Sequence, residues 1–249
     1  MIKLGLIGFP LGHSFSKNYY LAKFKEEQIT SVDYDLYPIA DIDLFKSLYS
    51  NDSAFCGFNV TIPHKQAVMA YIDELSDEAA AINAVNCITI HRTNGKISLK
   101  GYNTDAFGFQ KSLEPLLEPQ HTQALVLGNG GAAKAVLYVL EKLNIAYKVV
   151  SRNKETGDFT YEELTPSIIE AHPLIINCSP VGTHPNINEC PQIPYEHIGA
   201  RHLLYDLIYN PEETLFLQKG KENGATIKNG YEMLVLQAEK NWHIWQRNF

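Results

Sequence analysis

Cysteine is scarce in this sequence, and the few cysteines present do not match a metal or disulfide pattern. Cys56, Cys87, Cys178 and Cys190 include no Cys-x-x-Cys pair, and no histidine stands at metal-ligand spacing from them. This spacing argues against a zinc site and against a disulfide framework. We therefore expect four free thiols and no bound metal.

Long apolar runs and clusters of positive charge are also lacking. No stretch approaches the ~18 consecutive apolar residues of a membrane span. The apolar residues 4–10 are too few for a signal sequence and are interrupted by glycine and proline, so we expect a cytoplasmic location. With 21 Lys and Arg against 28 Asp and Glu, the net charge is −7, and there is no basic run. We expect neither nucleic acid nor a membrane as a partner.

The sequence has the composition of an ordinary globular protein. It contains 249 residues, of which 45% are hydrophobic and 20% are charged, enough for one large or two small domains. Apolar runs of strand length alternate with segments of helical period, which is typical of an α/β fold with mainly parallel sheets. Pro115 and Pro119 mark a joint after which a second β/α series begins.

The pattern predicts individual elements on both sides of this joint. Before it we predict strands at 3–8, 34–38, 55–62, 85–91 and 96–102, and helices at 17–28, 43–49 and 105–113. Asn94-Gly95 indicates a hairpin between the last two of these strands. After it we predict strands at 123–127, 145–151, 173–178 and 203–208, and helices at 131–143, 161–171, 212–223 and 230–245. The last helix is predicted to return to the first domain.

A glycine-rich segment, Gly128-Asn129-Gly130-Gly131-Ala132-Ala133, stands between a predicted strand and a predicted helix. It has the form G-x-G-x-x-A, in which the first glycine permits a tight turn and the second lets the backbone approach a pyrophosphate. The helix N-terminus then offers N–H groups to phosphate oxygens. We interpret it as a dinucleotide site, with an ordinary turn as the alternative.

The residues after the next strand predict which dinucleotide binds. The segment Ser151-Arg152-Asn153-Lys154 contains no carboxylate that could accept the ribose hydroxyls of NAD. A guanidinium and an ammonium suit a 2′-phosphate, so we predict NADP. The alternative is that these charges belong to an ordinary surface loop.

A second constellation runs from Gly57 to Lys65. In a strand, Asn59 and Thr61 share one face while Phe58, Val60 and Ile62 share the other. Pro63 suits the first position of a helix, which would place Lys65 in its first turn, where the helix dipole disfavours an ammonium. This position suggests a lysine with a task in proton transfer, the alternative being a solvated lysine beside a loop.

Further polar side chains occur at predicted element ends and on apolar faces. Asp105 opens a predicted helix, where it could be a cap or a catalytic group. Ser16, close to Ser14, could be the N-cap of the first helix, and the same hydroxyls could hold an anionic group. Asn86 and Gln237 need partners if they are buried. We interpret His13 and His64 as loop residues.

Taken in order, these segments resemble the shikimate dehydrogenase family over residues 8–238. The resemblance is carried by six segments: Gly8-Phe9-Pro10-Leu11-Gly12-His13-Ser14-Phe15-Ser16, Asn59-Val60-Thr61-Ile62-Pro63-His64-Lys65, Ala84-Val85-Asn86, Asn103-Thr104-Asp105, the glycine-rich segment 128–133, and Asn229-Gly230-Tyr231-Glu232-Met233-Leu234-Val235-Leu236-Gln237. It implies an α/β fold of two domains. A substrate-binding and catalytic domain would comprise 1–104 plus 228–249, completed by the C-terminal helix, and a Rossmann-like NADP domain would comprise 105–227.

The resemblance also implies a role for each matching residue. Lys65 and Asp105 would be the catalytic pair. The implied substrate-binding residues are Ser14, Ser16, Asn59, Thr61, Lys65, Asn86, Asp105, Tyr209 and Gln237. The implied cofactor-binding residues are Gly128, Asn129, Gly130, Gly131, Ala132, Ser151, Arg152, Asn153, Leu207 and Gly230. The sequence departs from the family pattern at Lys17, Tyr19 and Tyr20 near the serines, and at Cys87 after Asn86.

The implied activity is the reversible, NADPH-dependent reduction of 3-dehydroshikimate to shikimate, an oxidoreductase step of aromatic amino acid and chorismate biosynthesis. Within enzymes, the rival is a quinate/shikimate dehydrogenase with relaxed use of NAD and NADP. From another class, the rival is a non-catalytic NADP-binding protein. The expected partner is the small-molecule substrate, and homodimer formation is left open.

Overall fold

A computed structural model describes residues 1–12 and 14–249, so the interpretation of His13 lies outside the described residues. The described chain divides into two compact units. The first unit comprises Met1–Phe107 and Gln237–Phe249, and the second comprises Gly108–Leu236. The assignment of substrate and cofactor to the two predicted domains stays a prediction.

The described residues alternate between strands and helices along most of the chain. The strands are β1 (Ile2–Gly8), β2 (Val32–Pro38), β3 (Phe55–Val60), β4 (Glu74–Leu75), β5 (Cys87–Thr93), β6 (Lys96–Tyr102), β7 (Gln123–Leu127), β8 (Ala146–Val150), β9 (Leu174–Asn177), β10 (Leu203–Asp206) and β11 (Thr226–Lys228). The α-helices are α1 (Phe15–Glu26), α2 (Phe45–Asn51), α3 (Asp77–Ile82), α4 (Asp105–Leu113), α5 (Gly131–Lys142), α6 (Pro166–Ala171), α7 (Leu215–Glu222) and α8 (Tyr231–Gln246).

The sheet of the first unit has the strand order β2-β1-β3-β5-β6-β4. Strand β1 pairs in parallel with β2 and β3, whereas β5 pairs antiparallel with β3 and β6. The β5–β6 hairpin turns at Asn94 and Gly95, whose φ angles are 54° and 77°. Two successive positive φ angles are what the Asn-Gly pair supplies at little steric cost, and the predicted hairpin is confirmed.

Apolar residues cover both faces of this sheet. On one face, Ile7 and Phe58 belong to a cluster with Phe45 of α2. On the other, Leu4 belongs to a cluster with Trp245 of α8. A strand that is buried on both faces is apolar at nearly every position, as the sequence of β1 is. The C-terminal helix therefore belongs to the core of the first unit from Gln237 onward.

The sheet of the second unit has the order β11-β10-β9-β7-β8, and all its pairs are parallel. Its core includes Leu125 of β7, Ile175 of β9, Leu204 of β10 and Phe216 of α7. Parallel pairing brings the carboxyl ends of neighbouring strands to one edge, where ligands of open α/β sheets bind. The predicted α/β class, with a Rossmann-like second unit, is confirmed.

Some predicted elements are wrong in extent. The single helix predicted at 161–171 is a 3₁₀ turn at Tyr161–Glu163 followed by α6, which begins at Pro166. Proline disfavours a helical conformation of the residue before it, and Thr165 is extended.

Within residues 1–12 and 14–249, no helix is both long and apolar enough to cross a bilayer.

Candidate active site

The lysine and the aspartate predicted to act together lie side by side in the first unit. Nζ of Lys65 donates to Oδ2 of Asp105 at 2.7 Å, and the side chains are 19% and 13% exposed. This is a charge-assisted hydrogen bond that is largely shielded from water. The remaining exposure leaves the pair within reach of a small molecule.

The sequence predicts that Lys65 lies in the first turn of a helix, but the structure does not have a helix there. Residues 62–66 form turns, and the next helical segment is a 3₁₀ segment that begins at Ala67. The Lys65 carbonyl accepts the backbone N–H of Val85 at 2.7 Å, so it bonds to a distant segment and not to a helical ladder. The predicted helix that starts at Pro63 is therefore wrong.

Asp105 is held in place by its own helix and by an asparagine. It is the first residue of α4, as predicted, and its Oδ1 accepts Nδ2 of Asn86 at 2.8 Å. Oδ1 of Asn86 in turn accepts the backbone N–H of Thr104 at 2.7 Å. Each carboxylate oxygen of Asp105 thus has a donor, and the buried amide of Asn86 is bonded at both ends.

Asn59 is buried at the end of β3, next to the carbonyl of Asn86. Its Nδ2 donates to the Asn86 carbonyl oxygen at 3.2 Å, and its Oδ1 accepts the hydroxyl of Tyr34 at 2.8 Å. Thr61 lies just beyond β3, because the strand ends at Val60. Ile62, predicted to belong to this strand and to share a face with Phe58 and Val60, lies beyond its end and is 70% exposed, so that part of the prediction is wrong.

The two serines lie at the start of α1, but their order as caps differs from the prediction. The N-cap is Ser14, which has an extended backbone and accepts the N–H of Lys17 at 3.3 Å. Ser16 therefore lies inside the first turn and is not the cap. Burial raises the pKa of Tyr34, and a hydrogen bond between its phenol and Ser16 opposes this shift.

Gln237 on α8 is buried, as its position on an apolar face predicts. Its Oε1 accepts Nδ2 of Asn241 at 3.0 Å, and Oδ1 of Asn241 accepts the hydroxyl of Thr104 at 2.6 Å. One partner of Gln237 is therefore a side chain one helical turn away. The C-terminal helix is joined by these bonds to the residue that precedes Asp105.

In the second unit, the glycine-rich segment forms the turn between β7 and α5. Gly128 has a φ of +99°, and a Cβ placed there would lie 3.1 Å from the backbone nitrogen of Ser179. Gly130 is the N-cap of α5, and a Cβ on Gly130 or Gly131 would meet nothing within 4 Å. The strand, the turn and the helix N-terminus stand where the motif predicts them, with open space over the glycines.

A cavity of ≈950 Å³ adjoins this turn, within the size range of small-molecule sites. Its lining includes Gly128–Gly130 and Ser151–Asn153, and Asn129 Nδ2 donates to the Thr156 carbonyl at 3.1 Å across the two loops. Glycine backbone at a helix N-terminus suits a pyrophosphate, and the exposed guanidinium of Arg152 suits a 2′-phosphate. The residues present therefore fit NADP.

Lys154, which the sequence offers as a second positive group, is engaged elsewhere. Its Nζ donates to Glu163 Oε2 and to the Asp158 carbonyl, both at 2.7 Å. Ser151, which follows the strand β8, is buried and shares a hydrogen bond of 2.9 Å with Thr156. Arg152 is thus the cation of this loop that lines the cavity.

The remaining predicted residues also lie in the second unit. Gly230 is packed against Leu207, since a Cβ on it would come within 2.1 Å of the Leu207 carbonyl oxygen. Tyr209 follows Leu207 by two residues and is partly buried. The structure therefore brings Leu207 and Gly230 together, as their shared predicted role requires.

Sequence reasoning missed three residues of the polar site, namely Tyr34, Thr104 and Asn241. Tyr34 reads as an ordinary strand residue, and Asn241 reads as the polar side of an amphipathic helix. The one available signal was spacing, because Asn241 stands four residues after Gln237 and therefore on the same helical face. Among the described residues, no group of three or more His, Cys, Asp or Glu side chains could hold a metal ion.

Comparisons with known proteins agree with this geometry. The family model of the shikimate dehydrogenase substrate binding domain matches residues 6–88, which include Lys65 and Asn86. A shikimate dehydrogenase (NADP(+)) of Caldanaerobacter subterraneus is 37% identical over 263 residues, covering 98% of this chain and 91% of that protein. One of Methanococcus maripaludis strain C7 is 37% identical, covering 97% of this chain and 90% of that protein.

Solved structures are similar over the whole chain. A chorismate mutase/shikimate 5-dehydrogenase fusion protein from Clostridium acetobutylicum superposes with a TM-score of 0.86 at 36% identity, covering 99% of this chain and 91% of that one. The shikimate 5-dehydrogenase of Thermus thermophilus, in complex with NADP(H) and shikimate, gives a TM-score of 0.85 at 28% identity, covering 99% and 94%. The similarity thus spans both units.

Proposed function

The chain belongs to the shikimate dehydrogenase family, and from this premise we propose that it interconverts 3-dehydroshikimate and shikimate with NADP as its cofactor. The observation that carries the proposal is the Lys65–Asp105 pair at 2.7 Å. It combines a proton donor with a carboxylate that orients it, which a ketone reduction requires.

Lys65 acts on the oxygen of the substrate carbonyl. When NADPH is bound, it supplies the hydride. As the carbonyl carbon is reduced, negative charge develops on the oxygen, and the Lys65 ammonium stabilises this charge and donates a proton to it. In the oxidation direction, the proton of the shikimate hydroxyl passes to Nζ of Lys65.

Asp105 orients the lysine. One N–H of the ammonium donates to Oδ2 of Asp105, and this bond defines the position of Nζ. The other N–H groups of the ammonium can donate to the substrate. Asn86 prevents the carboxylate from rotating, because it bonds the other oxygen at 2.8 Å. A lysine held in this way needs little rearrangement when the substrate arrives.

The proposal assigns the substrate to the first unit. Ser14 and Ser16 bind its carboxylate at the N-terminus of α1, where N–H groups and the helix dipole favour an anion. Amides and hydroxyls surround the ring hydroxyls, which they bind as donors and acceptors. The residues proposed for this are Asn59, Thr61, Asn86, Asp105 and Gln237, together with Tyr209 of the second unit.

The proposal assigns NADP to the second unit. The backbone of 128–132, comprising Gly128, Asn129, Gly130, Gly131 and Ala132, binds the pyrophosphate at the N-terminus of α5. Ser151, Arg152 and Asn153 bind the 2′-phosphate of the adenosine ribose, with Arg152 as the charged group. Leu207 and Gly230 lie beside the nicotinamide.

The experiment that tests this function is a matrix of initial rates. Shikimate or quinate is combined with NADP⁺ or NAD⁺, and the formation of reduced nicotinamide is followed. We expect turnover with shikimate and NADP⁺. Turnover of quinate with NAD⁺ would favour a quinate/shikimate dehydrogenase, and NADP⁺ binding without turnover would favour a binding protein.

The proposal includes a cytoplasmic location, which the free state of Cys56, Cys87, Cys178 and Cys190 supports because reducing compartments preserve thiols. Cell fractionation tests it, and recovery of the protein outside the cytoplasm would contradict it. Homodimer formation, left open by the sequence, is decided by light scattering, since the chain has a mass of 28.0 kDa.

A further inference from the structure

A chain of hydrogen bonds in the first unit connects the two amides proposed to bind substrate hydroxyls. Nδ2 of Asn86 donates to the hydroxyl oxygen of Thr104 at 3.0 Å, and that hydroxyl donates to Oδ1 of Asn241 at 2.6 Å. Nδ2 of Asn241 then donates to Oε1 of Gln237 at 3.0 Å. The same Nδ2 of Asn86 also donates to Asp105, so the chain ends at the catalytic pair.

Asn241 lies between Thr104 and Gln237 in this series of hydrogen bonds, and each end of its amide forms one of them. Its oxygen accepts the Thr104 hydroxyl at 2.6 Å, which is shorter than the 3.2 Å contact of the same hydroxyl with Oδ1 of Asn86, and its nitrogen donates to Oε1 of Gln237. A rotation of the Asn241 amide by 180° would remove the 2.6 Å bond from the Thr104 hydroxyl and would place two acceptors against each other at Gln237. The Thr104 hydroxyl, whose oxygen accepts Nδ2 of Asn86, therefore determines the orientation of the Asn241 amide.

The orientation of the Asn241 amide determines which end of the Gln237 amide faces it. Because Oε1 of Gln237 faces the Asn241 nitrogen, Nε2 is its other end. A substrate hydroxyl oxygen is an acceptor and requires a donor such as Nε2. Asn241 is also fully buried, where an amide is stabilising only if its hydrogen bonds are satisfied.

We propose that Asn241 is a positioning residue for the substrate: it fixes the amide of Gln237 with Nε2 as the donor end, and through Thr104 it fixes the amide of Asn86. The inference rests on the proposed function, because Gln237 and Asn86 matter here as substrate-binding groups. Asn241 itself touches no reacting atom. It acts on shikimate through its two neighbours.

The test is the kinetics of Asn241→Leu, which keeps the branching of the side chain at Cγ and removes both hydrogen bonds. We expect the KM for shikimate to rise about tenfold, with kcat changed less than about threefold, because the bonds lost act on substrate binding. The KM for NADP⁺ is expected to stay unchanged. If Asn241→Leu does not fold, Asn241→Asp replaces it, since Asp accepts from Thr104 but cannot donate to Gln237 when ionised.

A double-mutant cycle separates positioning from a merely structural role. In the Gln237→Leu background the oriented amide is absent, so Asn241→Leu is expected to raise the KM by less than about threefold more. A structural role would add the full tenfold. Trp245→Phe is the control. Trp245 lies one turn further along α8 and donates to the Ile88 carbonyl, so it takes no part in the hydrogen bonds between Asn86 and Gln237.

Each outcome decides a different statement. An active wild type with an unchanged KM in both Asn241 variants overturns this inference and leaves the proposed function intact. Equal increases in the KM for shikimate and for NADP⁺, or a rise in the KM for shikimate in Trp245→Phe, also overturn it. A wild type that does not oxidise shikimate contradicts the proposed function, and the inference falls with it.

Discussion

Two buried aspartates, one in each unit, have contrasting surroundings. Asp105 is bonded by the ammonium of Lys65 and by an amide. Asp206, at the end of β10, is held by neutral donors: the hydroxyl of Thr214 at 2.6 Å, the amide of Asn177 at 3.1 Å and the N–H of Ile208 at 3.0 Å. Burial raises the pKa of Asp206 to about 6 in spite of these bonds.

The contrast shows two uses of a buried carboxylate. Beside an ammonium, the carboxylate forms an ion pair that can orient a proton donor. Among neutral donors, Asp206 ties the turn after β10 to the N-cap of α7, since Thr214 caps that helix. The first arrangement is the one that we propose for catalysis, and the second stabilises the local fold. The following predictions test this division, from the largest expected effect to the smallest.

Replacement of Lys65, the proposed proton donor and acceptor, has the largest expected effect. We expect Lys65→Met to lower kcat for shikimate oxidation by about 10²–10⁴-fold, because the proton acceptor is lost. Initial rates at saturating shikimate and NADP⁺ measure this. Lys3→Met is the control, since Lys3 pairs with Asp52 at the same 2.7 Å but is 40% exposed. Equal losses in both variants would show that the Lys65 pair has no special role.

Asp206 is expected to make stability depend on pH. Its pKa in the folded state lies above the ordinary value of 3.8, so the folded protein binds more protons between pH 4 and 6. The free energy of unfolding should then fall by about 3 kcal/mol as the pH rises through this window. This stability is fully present below pH 4 and lost above pH 6.

Urea denaturation of wild type and Asp206→Asn at several pH values measures this contribution. The variant has no carboxylate to bury at this position. We therefore expect the difference in the free energy of unfolding between the two proteins to change with pH as predicted for Asp206. Asp158→Asn is the control of opposite sign. Although desolvation opposes the shift, the Val149 amide and Lys148 lower the pKa of Asp158, so its contribution is lost as the pH falls. A flat difference for Asp206→Asn would contradict the prediction.

Arg152 is expected to determine the preference for NADP⁺. The KM for NADP⁺ should rise about tenfold or more in Arg152→Leu, because a charge-assisted bond to the 2′-phosphate is lost, while the KM for NAD⁺ should change little. Lys154→Leu is the matched control, since Lys154 is already paired with Glu163. A larger effect of Lys154→Leu than of Arg152→Leu would reverse the assignment.

The smallest expected effect belongs to Tyr34, which positions Asn59. Tyr34→Phe removes one buried hydroxyl and should raise the KM for shikimate about threefold and lower stability by about 1 kcal/mol. Tyr205→Phe loses a comparable buried bond, to Ser112 at 2.7 Å in the second unit. It should be destabilised equally without a change in this KM. If both variants raise the KM for shikimate, Tyr34 has no specific role in positioning Asn59.

Features that depend on neighbours in the chain could be predicted. The hairpin at Asn94-Gly95 and the strand, turn and helix around Gly128 follow from φ preferences that belong to single residues. The start of α4 at Asp105 and the family membership are confirmed as well. Helix α3 was missed, although Ser76 caps it and Asp77 and Glu78 open it, because its six residues are too short for a periodic pattern.

Features that depend on distant partners could not be predicted. The backbone around Lys65 reads as a helix start, but its carbonyl is taken by Val85, and no local signal announces that bond. The N-cap of α1 is Ser14 and not the predicted Ser16. Both residues are serines, and the extended backbone of Ser14 makes it the cap. Nothing in the spacing of Tyr34 and Asn59 shows that they share a hydrogen bond.

The sequence alone determined the α/β alternation, the glycine turn for a dinucleotide, the cation beside it and the lysine and aspartate that match the family. These properties reside in single residues and in short periods along the chain. The tertiary structure decided which polar groups meet: Tyr34 with Asn59, Thr104 with Asn241, and neutral donors around Asp206. The physical reason is that a buried polar group must find a partner wherever the fold brings one.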